Sequence, residues 1–182
     1  STFISTVSPT YAHEIQTSQY GAGLDWVLRE RSAALYGILN GIDAEVWNPA
    51  TDPYLPARYD IDNMEGKAAC KRALQAEFGL PQRDVPLIGF VGRLVGQKGI
   101  DVIAEALPGM LHALDVQFVL LGSGEPWAER RFSQIAANNR FRCGAKIAYS
   151  EGIAHRIEAG ADLFLMPSHF EPCGLNQMYS MR

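Results

Sequence analysis

Residues 87–99 read Leu87-Ile88-Gly89-Phe90-Val91-Gly92-Arg93-Leu94-Val95-Gly96-Gln97-Lys98-Gly99, and this stretch decides the fold. Its first five residues predict a strand that is buried on both faces, and the next eight, with three glycines, predict a turn. A helix should follow, because apolar residues then recur with helical spacing at Ile100, Ile103, Ala104 and Leu107. The stretch is therefore one strand–turn–helix unit of an α/β protein.

The same pattern returns three times further along the chain. We expect strands at 116–121, 146–149 and 163–166, and helices at 127–137, from Ser150 as N-cap to Ala161, and from about Gly174 onward. Apolar strands that alternate with helices form a parallel sheet covered on both faces. The sequence thus predicts a Rossmann-like, doubly wound α/β domain from about Leu35 to the end, with its ligand at the carboxyl ends of the strands.

Composition narrows the functional classes. The chain has 182 residues, of which 47% are hydrophobic and 20% charged, so it can form a core. Its net charge of −4 gives no reason to expect nucleic-acid binding, and no apolar run is long enough for a membrane span. Three cysteines without a close pair are typical of free thiols. The absence of an initiator Met and an uncapped helical end suggest a piece of a longer protein.

The residues before Leu35 do not follow the repeating pattern. Ser8 can cap a helix whose first residue is Pro9. We expect the segment 1–21 to belong to a neighbouring domain, and the proline-rich segment 48–62 to be irregular.

The turn after the first strand of the pattern carries two cations. Arg93 and Lys98 can neutralise a diphosphate without a metal, and the glycines let the backbone approach a ligand. The alternative is a solvated turn with two surface bases. The turn is not a P-loop, because Ser or Thr does not follow Lys98.

The turn at 122–127 resembles a dinucleotide fingerprint, but Trp127 occupies the position of the third glycine. A plain tight turn is the favoured interpretation, with close approach of its backbone to a ligand as the alternative. A nicotinamide-dependent enzyme is therefore disfavoured. The four histidines lack metal-ligand spacing, so we expect no metal site.

The loop after the last strand carries Glu171 between two prolines, just before a helix. Its carboxylate can accept hydrogen bonds from sugar hydroxyls, and the N–H groups of Gly174, Leu175 and Asn176 can hold a phosphate. The alternative is that Glu171 is only a favourable charge beside a helix N-terminus.

Four motifs taken together resemble the bacterial glycogen synthase and plant starch synthase family. They are Thr6-Val7-Ser8-Pro9-Thr10-Tyr11-Ala12, then Gly37-Ile38-Leu39-Asn40-Gly41-Ile42-Asp43 with Trp47-Asn48-Pro49, then Gly92-Arg93-Leu94 with Gln97-Lys98-Gly99, and Phe170-Glu171-Pro172-Cys173-Gly174-Leu175 with Gln177. The resemblance covers essentially the whole chain in the family's order. It implies a GT-B glycosyltransferase with two Rossmann-like domains, of which residues 1–34 end the N-terminal domain and 35–182 form a truncated C-terminal, nucleotide-sugar-binding domain.

The reaction implied by this resemblance is transfer of glucose from ADP-glucose to the non-reducing end of an α-1,4-glucan or maltooligosaccharide, with retention of configuration. No cofactor is implied, since ADP-glucose is a substrate, and the expected location is the cytoplasm, or the plastid for a plant or algal enzyme. The residues leave open the choice between glycogen and starch synthase and between ADP- and UDP-glucose. The alternative function is a nucleotide-sugar-binding module that has no activity of its own because half of the cleft is missing.

The resemblance also implies roles for single residues. Arg93, Lys98 and Glu171 are the catalytic candidates: the two cations stabilise the diphosphate, and Glu171 binds the glucose ring. Tyr149, with Glu151, is placed near the adenine. The remaining donor-binding candidates are Asn40, Gly92, Cys173, Gly174, Leu175 and Asn176.

Two positions depart from the family's pattern. Tyr179 stands where related transferases carry a second Glu, and His169 stands where the family commonly has Arg. A role that needs two carboxylates is therefore not available in this loop.

Overall fold

The structure, a computed structural model, describes residues 2–182. Its strands are β1 (Ile4–Val7), β2 (Leu35–Ile38), β3 (Leu87–Val91), β4 (Gln117–Gly122), β5 (Cys143–Ile147) and β6 (Leu163–Phe164). Its α-helices are α1 (Pro9–Glu14), α2 (Asp25–Glu30), α3 (Glu65–Glu77), α4 (Ile100–Ala113), α5 (Pro126–Asn138), α6 (Glu151–Gly160) and α7 (Leu175–Met181). Short 3₁₀ helices occupy Ser32–Ala34 and Gly96–Lys98.

Contacts between residues divide these elements into two compact units. Unit 1 comprises the chain up to Ile42 together with Phe170–Leu175, and unit 2 comprises Asp43–His169 together with Asn176–Arg182. Each unit is described by itself below.

Unit 2 contains a four-stranded sheet in the order β5-β4-β3-β6, with all neighbouring strands parallel. Chain order reverses direction at β3, because β4 and β5 extend the sheet on one side and β6 on the other. Such a reversal opens a crevice at the carboxyl ends of the strands, where ligands bind in open α/β sheets. The predicted doubly wound, Rossmann-like parallel sheet is therefore confirmed.

The two faces of this sheet follow the alternation of the strand residues. Ile88, Phe90, Phe118 and Leu120 pack in one core with α4 and α5. Leu87, Val119 and Leu121 face a second core that contains Leu74 of α3 and Ile157 of α6. Since both faces are covered by helices, the strands read as continuous apolar runs.

Unit 1 contains a two-stranded parallel sheet, in which Ile4 to Val7 of β1 pair in register with Leu35 to Ile38 of β2. Helix α1 begins as predicted, because the Ser8 hydroxyl accepts a hydrogen bond from the Tyr11 N–H at 3.1 Å and Pro9 is the first helical residue. Within this unit the Phe170 ring stacks on Tyr11, with 6.5 Å between ring centroids.

Three sequence-based expectations differ from the structure. The strand at residues 35–38, where the doubly wound part was expected to begin, pairs with β1 and not with the sheet of unit 2, and the compact units divide after Ile42. Strand β5 begins at Cys143, three residues before the predicted start. The prediction missed these residues because the small side chains at 143–145 give no clear apolar pattern. Strand β6 ends at Phe164, two residues early.

Two helices, α2 and α3, were not predicted. In α3 only Cys70, Leu74 and Gln75 are buried, a stripe too narrow for a clear apolar pattern. The irregular character of residues 48–62 is confirmed: this segment contains turns and bends between unit 1 and α3.

Candidate nucleotide-sugar site

A cleft of about 410 Å³ lies at the carboxyl ends of the strands of unit 2. The segments that follow β3, β4 and β5 contribute to it, as do α6 and α7. Its lining includes Trp47, Val91, Gly92, Arg93, Leu121, Gly122, Ser123, Ala148, Tyr149, Ser150, Glu151, Ala154, Glu158, Asn176 and Tyr179. The volume lies within the range of small-molecule sites, about 300–1,000 Å³.

Arg93 enters this cleft directly after β3. Its side chain is exposed, and its guanidinium donates a hydrogen bond to the Gln97 side chain at 3.0 Å. Lys98 closes the 3₁₀ helix of the same turn and is half-buried. Among the described residues, Lys98 is not part of the cleft lining, although it lies five positions from Arg93 in one short turn.

The end of this turn is fixed by Gly99. Its φ of +67° belongs to the left-handed region, and a Cβ atom there would lie 2.1 Å from the Pro167 carbonyl oxygen. Two residues further on, the His169 N–H donates a hydrogen bond to the Gln97 carbonyl at 3.0 Å. The segment after β6 therefore packs directly on the turn that carries Arg93 and Lys98.

The turns after β3 and β4 are joined backbone to backbone. The Leu94 N–H donates to the Ser123 carbonyl at 2.9 Å, and the Glu125 N–H donates to the Leu94 carbonyl at 2.8 Å. A Cβ atom on Gly122 would lie 2.1 Å from the Gly92 carbonyl oxygen, and one on Gly124 would lie 2.4 Å from that of Leu94. Both glycines are thus required by packing, as the plain-turn interpretation holds, while Gly122 and Ser123 also line the cleft.

Tyr149 stands at the opening between β5 and α6. It is 91% exposed, so its ring face is accessible to a planar ligand. The next residue, Ser150, caps α6 as predicted: its hydroxyl accepts a hydrogen bond from the Ile153 N–H at 3.4 Å.

Asn176 reaches the cleft from α7. Its side-chain amide donates a hydrogen bond to the Val91 carbonyl at 2.8 Å, which ties the start of α7 to the end of β3. This contact fixes the side chain at the edge of the cleft next to Gly92.

Unit 2 thus brings four of the predicted site residues into one cleft: Gly92, Arg93, Tyr149 and Asn176. Lys98 also belongs to unit 2 but lies outside the cleft lining, and the other five belong to unit 1, namely Asn40, Glu171, Cys173, Gly174 and Leu175. Within that unit Asn40 is exposed, Glu171 and Cys173 are half-buried, and Gly174 is buried with a φ of +82°. The positive φ explains why glycine follows Cys173.

Sequence reasoning did not assign Trp47, Glu158 or Tyr179 to the cleft. Helical spacing could have identified Glu158, because Glu151, Ala154 and Glu158 lie on one face of α6 and all line the cleft. Burial raises the pKa of Glu158 to about 7, against the opposing effects of a hydrogen bond from the Ser180 hydroxyl and the charge of Lys67. Trp47 gave no periodic signal, because it lies in a turn between β2 and α3.

A second and larger cavity of about 580 Å³ shares Trp47, Glu158 and Tyr179 with the cleft, but it contains none of the predicted site residues. Within residues 2–182 no group of three or more His, Cys, Asp and Glu side chains is arranged to hold a metal ion. In the same range, each helix falls short of the length and apolar character that crossing a membrane requires.

Comparison with known proteins agrees with this geometry. Residues 85–182 match the family described as Glycosyl transferases group 1, and residues 1–30 match the Starch synthase catalytic domain. A glycogen synthase from Anaeromyxobacter sp. (strain Fw109-5) is 61% identical over 180 residues, which are 98% of this chain and 38% of that protein. Glycogen synthase 1 from Geobacter metallireducens is 58% identical over 182 residues, 100% of this chain and 36% of the relative.

Among solved structures, the catalytic domain of Starch Synthase IV from Arabidopsis thaliana, bound to ADP and acarbose, matches with a TM-score of 0.92 and 44% identity. That match covers 100% of this chain and 38% of the other. The chain thus spans little more than a third of the length of these relatives. The fold is that of a GT-B glycosyltransferase, and the resemblance drawn from the four motifs is confirmed. The chain belongs to the Glycosyl transferases group 1 family, and over its length it is similar to glycogen and starch synthases.

Proposed function

We propose that this chain carries the nucleotide-sugar-binding part of an ADP-glucose-dependent glycogen synthase. The complete enzyme, called here the complete synthase, transfers glucose to the non-reducing end of an α-1,4-glucan with retention of configuration. One observation carries the proposal: Arg93 and the exposed ring of Tyr149 line the same cleft at the carboxyl ends of the strands. A cation and an open aromatic face suit the phosphates and the base of a nucleotide, respectively.

The main task of the site residues of unit 2 is to stabilise the negative charge of the leaving diphosphate. When the glycosidic bond breaks, negative charge develops on the phosphate oxygens, and preorganised cations stabilise it. Arg93 and Lys98 supply these cations. Their turn is held in place by the packing of Gly99 on Pro167 and by the bond from His169 to Gln97. The cations therefore need little reorganisation during the reaction.

The remaining residues of unit 2 bind the donor. Tyr149 stacks on the adenine with Glu151 beside it, and Gly92 lets the donor approach the backbone. Asn176 offers its backbone N–H to a phosphate, while its side chain is held by the Val91 carbonyl. These assignments use only groups that line the cleft.

The proposed ligands of the glucose moiety are residues of unit 1. Glu171 accepts hydrogen bonds from the glucose hydroxyls and stabilises the positive charge that develops at the anomeric carbon. Cys173, Gly174, Leu175 and Asn40 are the further donor-binding candidates of unit 1. With Tyr179 in place of a second carboxylate, Glu171 is the acidic residue of this loop on which the proposal relies.

The comparisons support the substrates as follows. The Arabidopsis structure holds ADP together with acarbose, and this chain superimposes on it over its whole length with a TM-score of 0.92. We therefore propose ADP-glucose as donor and an α-1,4-glucan or maltooligosaccharide as acceptor. The bacterial relatives favour glycogen synthesis in the cytoplasm. The match of residues 1–30 supports assigning residues 1–34 to the N-terminal domain of the enzyme and 35–182 to its C-terminal domain.

Arg93→Ala and Lys98→Ala in the complete synthase test this proposal. Each should reduce glucan synthesis by about two orders of magnitude, because the loss of one preorganised charge contact costs about 3 kcal/mol. Incorporation of labelled glucose into glycogen measures the effect. Arg140→Ala is the matched control, since Arg140 is exposed and precedes β5, at the opposite edge of the sheet. Rates close to wild type in both Arg93→Ala and Lys98→Ala would sink the mechanism.

The alternative is that the 182-residue chain is a binding module without activity of its own. Extension of maltooligosaccharide by the isolated chain in the presence of ADP-glucose distinguishes the two. Binding of ADP without chain extension would favour the module, and extension would exclude it.

A further inference from the structure

Trp47 joins two helices of unit 2 through its two ring faces. On one side the indole stacks on His155 of α6, with 3.7 Å between ring centroids and 12° between planes. On the other side it stacks on Tyr179 of α7, at 3.9 Å and 8°. The irregular segment after unit 1 therefore inserts one aromatic ring between α6 and α7.

The His155 end of this stack is rigid. The His155 side chain is 0% exposed, and its Nδ1 lies 2.6 Å from Oδ2 of Asp52. The other carboxylate oxygen of Asp52 accepts a hydrogen bond from the Tyr54 N–H at 2.8 Å. Asp52 lies five residues after Trp47, so one short segment both inserts the indole and clamps the imidazole on which it rests.

The α7 end depends on the stack. Helix α7 has seven residues, and within the described chain none of them is buried. So short a helix is not stable by itself, which makes its side-chain contacts decisive. In unit 2 these include the bond from Asn176 to Val91, the ring contact of Tyr179 with Trp47, and the hydrogen bond from the Ser180 hydroxyl to Glu158.

Trp47, Tyr179 and Asn176 all line the cleft assigned above to the nucleotide. We propose that Trp47 is a positioning residue for this cleft: it sets the separation of α6 and α7 and thereby places Asn176 beside the end of β3. The inference rests on the proposed function and extends it to a residue that the four motifs left without a role.

The test compares variants of the complete synthase. Trp47→Ala should raise KM for ADP-glucose by on the order of tenfold while kcat changes much less, and Trp47→Phe should restore most of the loss. Tyr54→Ala is the matched control, because Tyr54 contacts His155 at 4.9 Å but lies outside the lining of the cleft as described. Its KM should stay at the wild-type value. A loss of stability alone would not produce this split between KM and kcat.

Tyr179→Leu provides a second route if Trp47→Ala does not fold, as judged by circular dichroism. It removes the ring from α7 and leaves Trp47 on His155, and it should raise KM in the same way. A folded Trp47→Ala or Tyr179→Leu enzyme with wild-type KM overturns the inference. A wild-type enzyme that does not bind ADP overturns the proposed function instead, so the two failures are distinguishable.

Discussion

At the scale of single residues, Glu158 is a carboxyl group of the cleft whose pKa is changed by burial. Burial raises its pKa to about 7 from an ordinary value of 4.5, although the Ser180 hydroxyl and the charge of Lys67 act in the opposite direction. The folded protein therefore keeps a proton on Glu158 at pH values where the unfolded chain has released it. The stability that this group contributes is complete below pH 4.5 and is lost as pH rises to about 7.

Glu158→Gln should remove this pH dependence. The variant should gain on wild type by as much as about 3 kcal/mol between pH 4.5 and pH 8, because the amide stays neutral throughout. Urea denaturation at several pH values measures the free energy of unfolding. Glu151→Gln, on the exposed first turn of the same helix, controls for the loss of one charge. A difference between Glu158→Gln and wild type that does not change with pH would contradict this account.

Single residues of the site were predictable where chain order alone determines their position. Gly92, Arg93 and Tyr149 follow strands of one parallel sheet, so their meeting at one edge could be expected from the sequence. Glu158 and Trp47 could not be found in this way. One is a carboxyl group on the inner side of a helix, and the other reaches the cleft from an irregular segment whose path depends on tertiary contacts.

At the scale of elements, two glycines should respond to substitution in opposite directions. Gly99 has a φ of +67°, and a Cβ atom would lie 2.1 Å from the Pro167 carbonyl oxygen. Gly99→Ala should therefore destabilise the protein by about 3 kcal/mol. Gly109 lies inside α4, and within residues 2–182 no atom outside the helix's own backbone and its chain neighbours lies within 4 Å of the place that a Cβ atom would occupy. Gly109→Ala should stabilise by about 1 kcal/mol.

Thermal and urea unfolding of both glycine variants, relative to wild type, provides the measurement. If Gly99→Ala were as stable as wild type, the close packing of the segment after β6 on the Arg93 and Lys98 turn would be wrong. Gly109→Ala is the positive control, because its expected gain shows that the unfolding measurement detects a small increase in helix stability.

A salt bridge between Glu77 of α3 and Arg156 of α6 joins these two helices. The Nε and one terminal nitrogen of Arg156 donate hydrogen bonds to the two carboxylate oxygens of Glu77, at 2.7 and 2.9 Å. The hydrogen bond from Arg156 lowers the pKa of Glu77, with a further contribution from Lys146. A lowered carboxyl pKa stabilises the fold above the ordinary value of 4.5, and this contribution is lost as pH falls through the folded pKa.

Glu77→Gln should cost about 1 kcal/mol at pH 7, and the cost should shrink as pH falls from 4.5 through the lowered pKa of the folded Glu77 carboxyl. Urea denaturation at pH 7 and at a pH below 4.5 measures the free energy of unfolding of each variant. Asp115→Asn serves for comparison, because Asp115 pairs with Arg83 at an exposed site and its substitution should cost much less. Equal losses of unfolding free energy in the two variants would show that the salt bridge between α3 and α6 contributes no more to stability than an exposed ion pair.

The sequence predicted the repeating elements well and the irregular ones poorly. Strands β3 and β4 have apolar side chains on both faces, so they are recognisable without tertiary information. Helix α3 buries only Cys70, Leu74 and Gln75, and β5 begins with small residues, so neither gives a strong pattern. Strand β2 is apolar too, but its partner β1 lies outside the repeating pattern, and pairing of this kind is not encoded in local spacing.

At the scale of the whole molecule, the predicted site residues divide between the two compact units. The candidates for the diphosphate and the base, Arg93, Lys98 and Tyr149, belong to unit 2, whereas Glu171, the candidate for the sugar, belongs to unit 1. The four motifs identified the family, because they combine residues from both units in one order along the chain. The boundary between the units could not be read from the same residues, since it depends on which strands pair.

The central claim is that the diphosphate of the donor is held by Arg93, in the cleft of unit 2, and by Lys98 of the same turn. The most direct test is the affinity of the complete synthase for ADP and for adenosine, measured by isothermal titration calorimetry for wild type, Arg93→Ala and Lys98→Ala. We predict that the wild type prefers ADP, and that each substitution reduces this preference by about two orders of magnitude while the affinity for adenosine stays the same. An unchanged preference for ADP in both variants would contradict the claim.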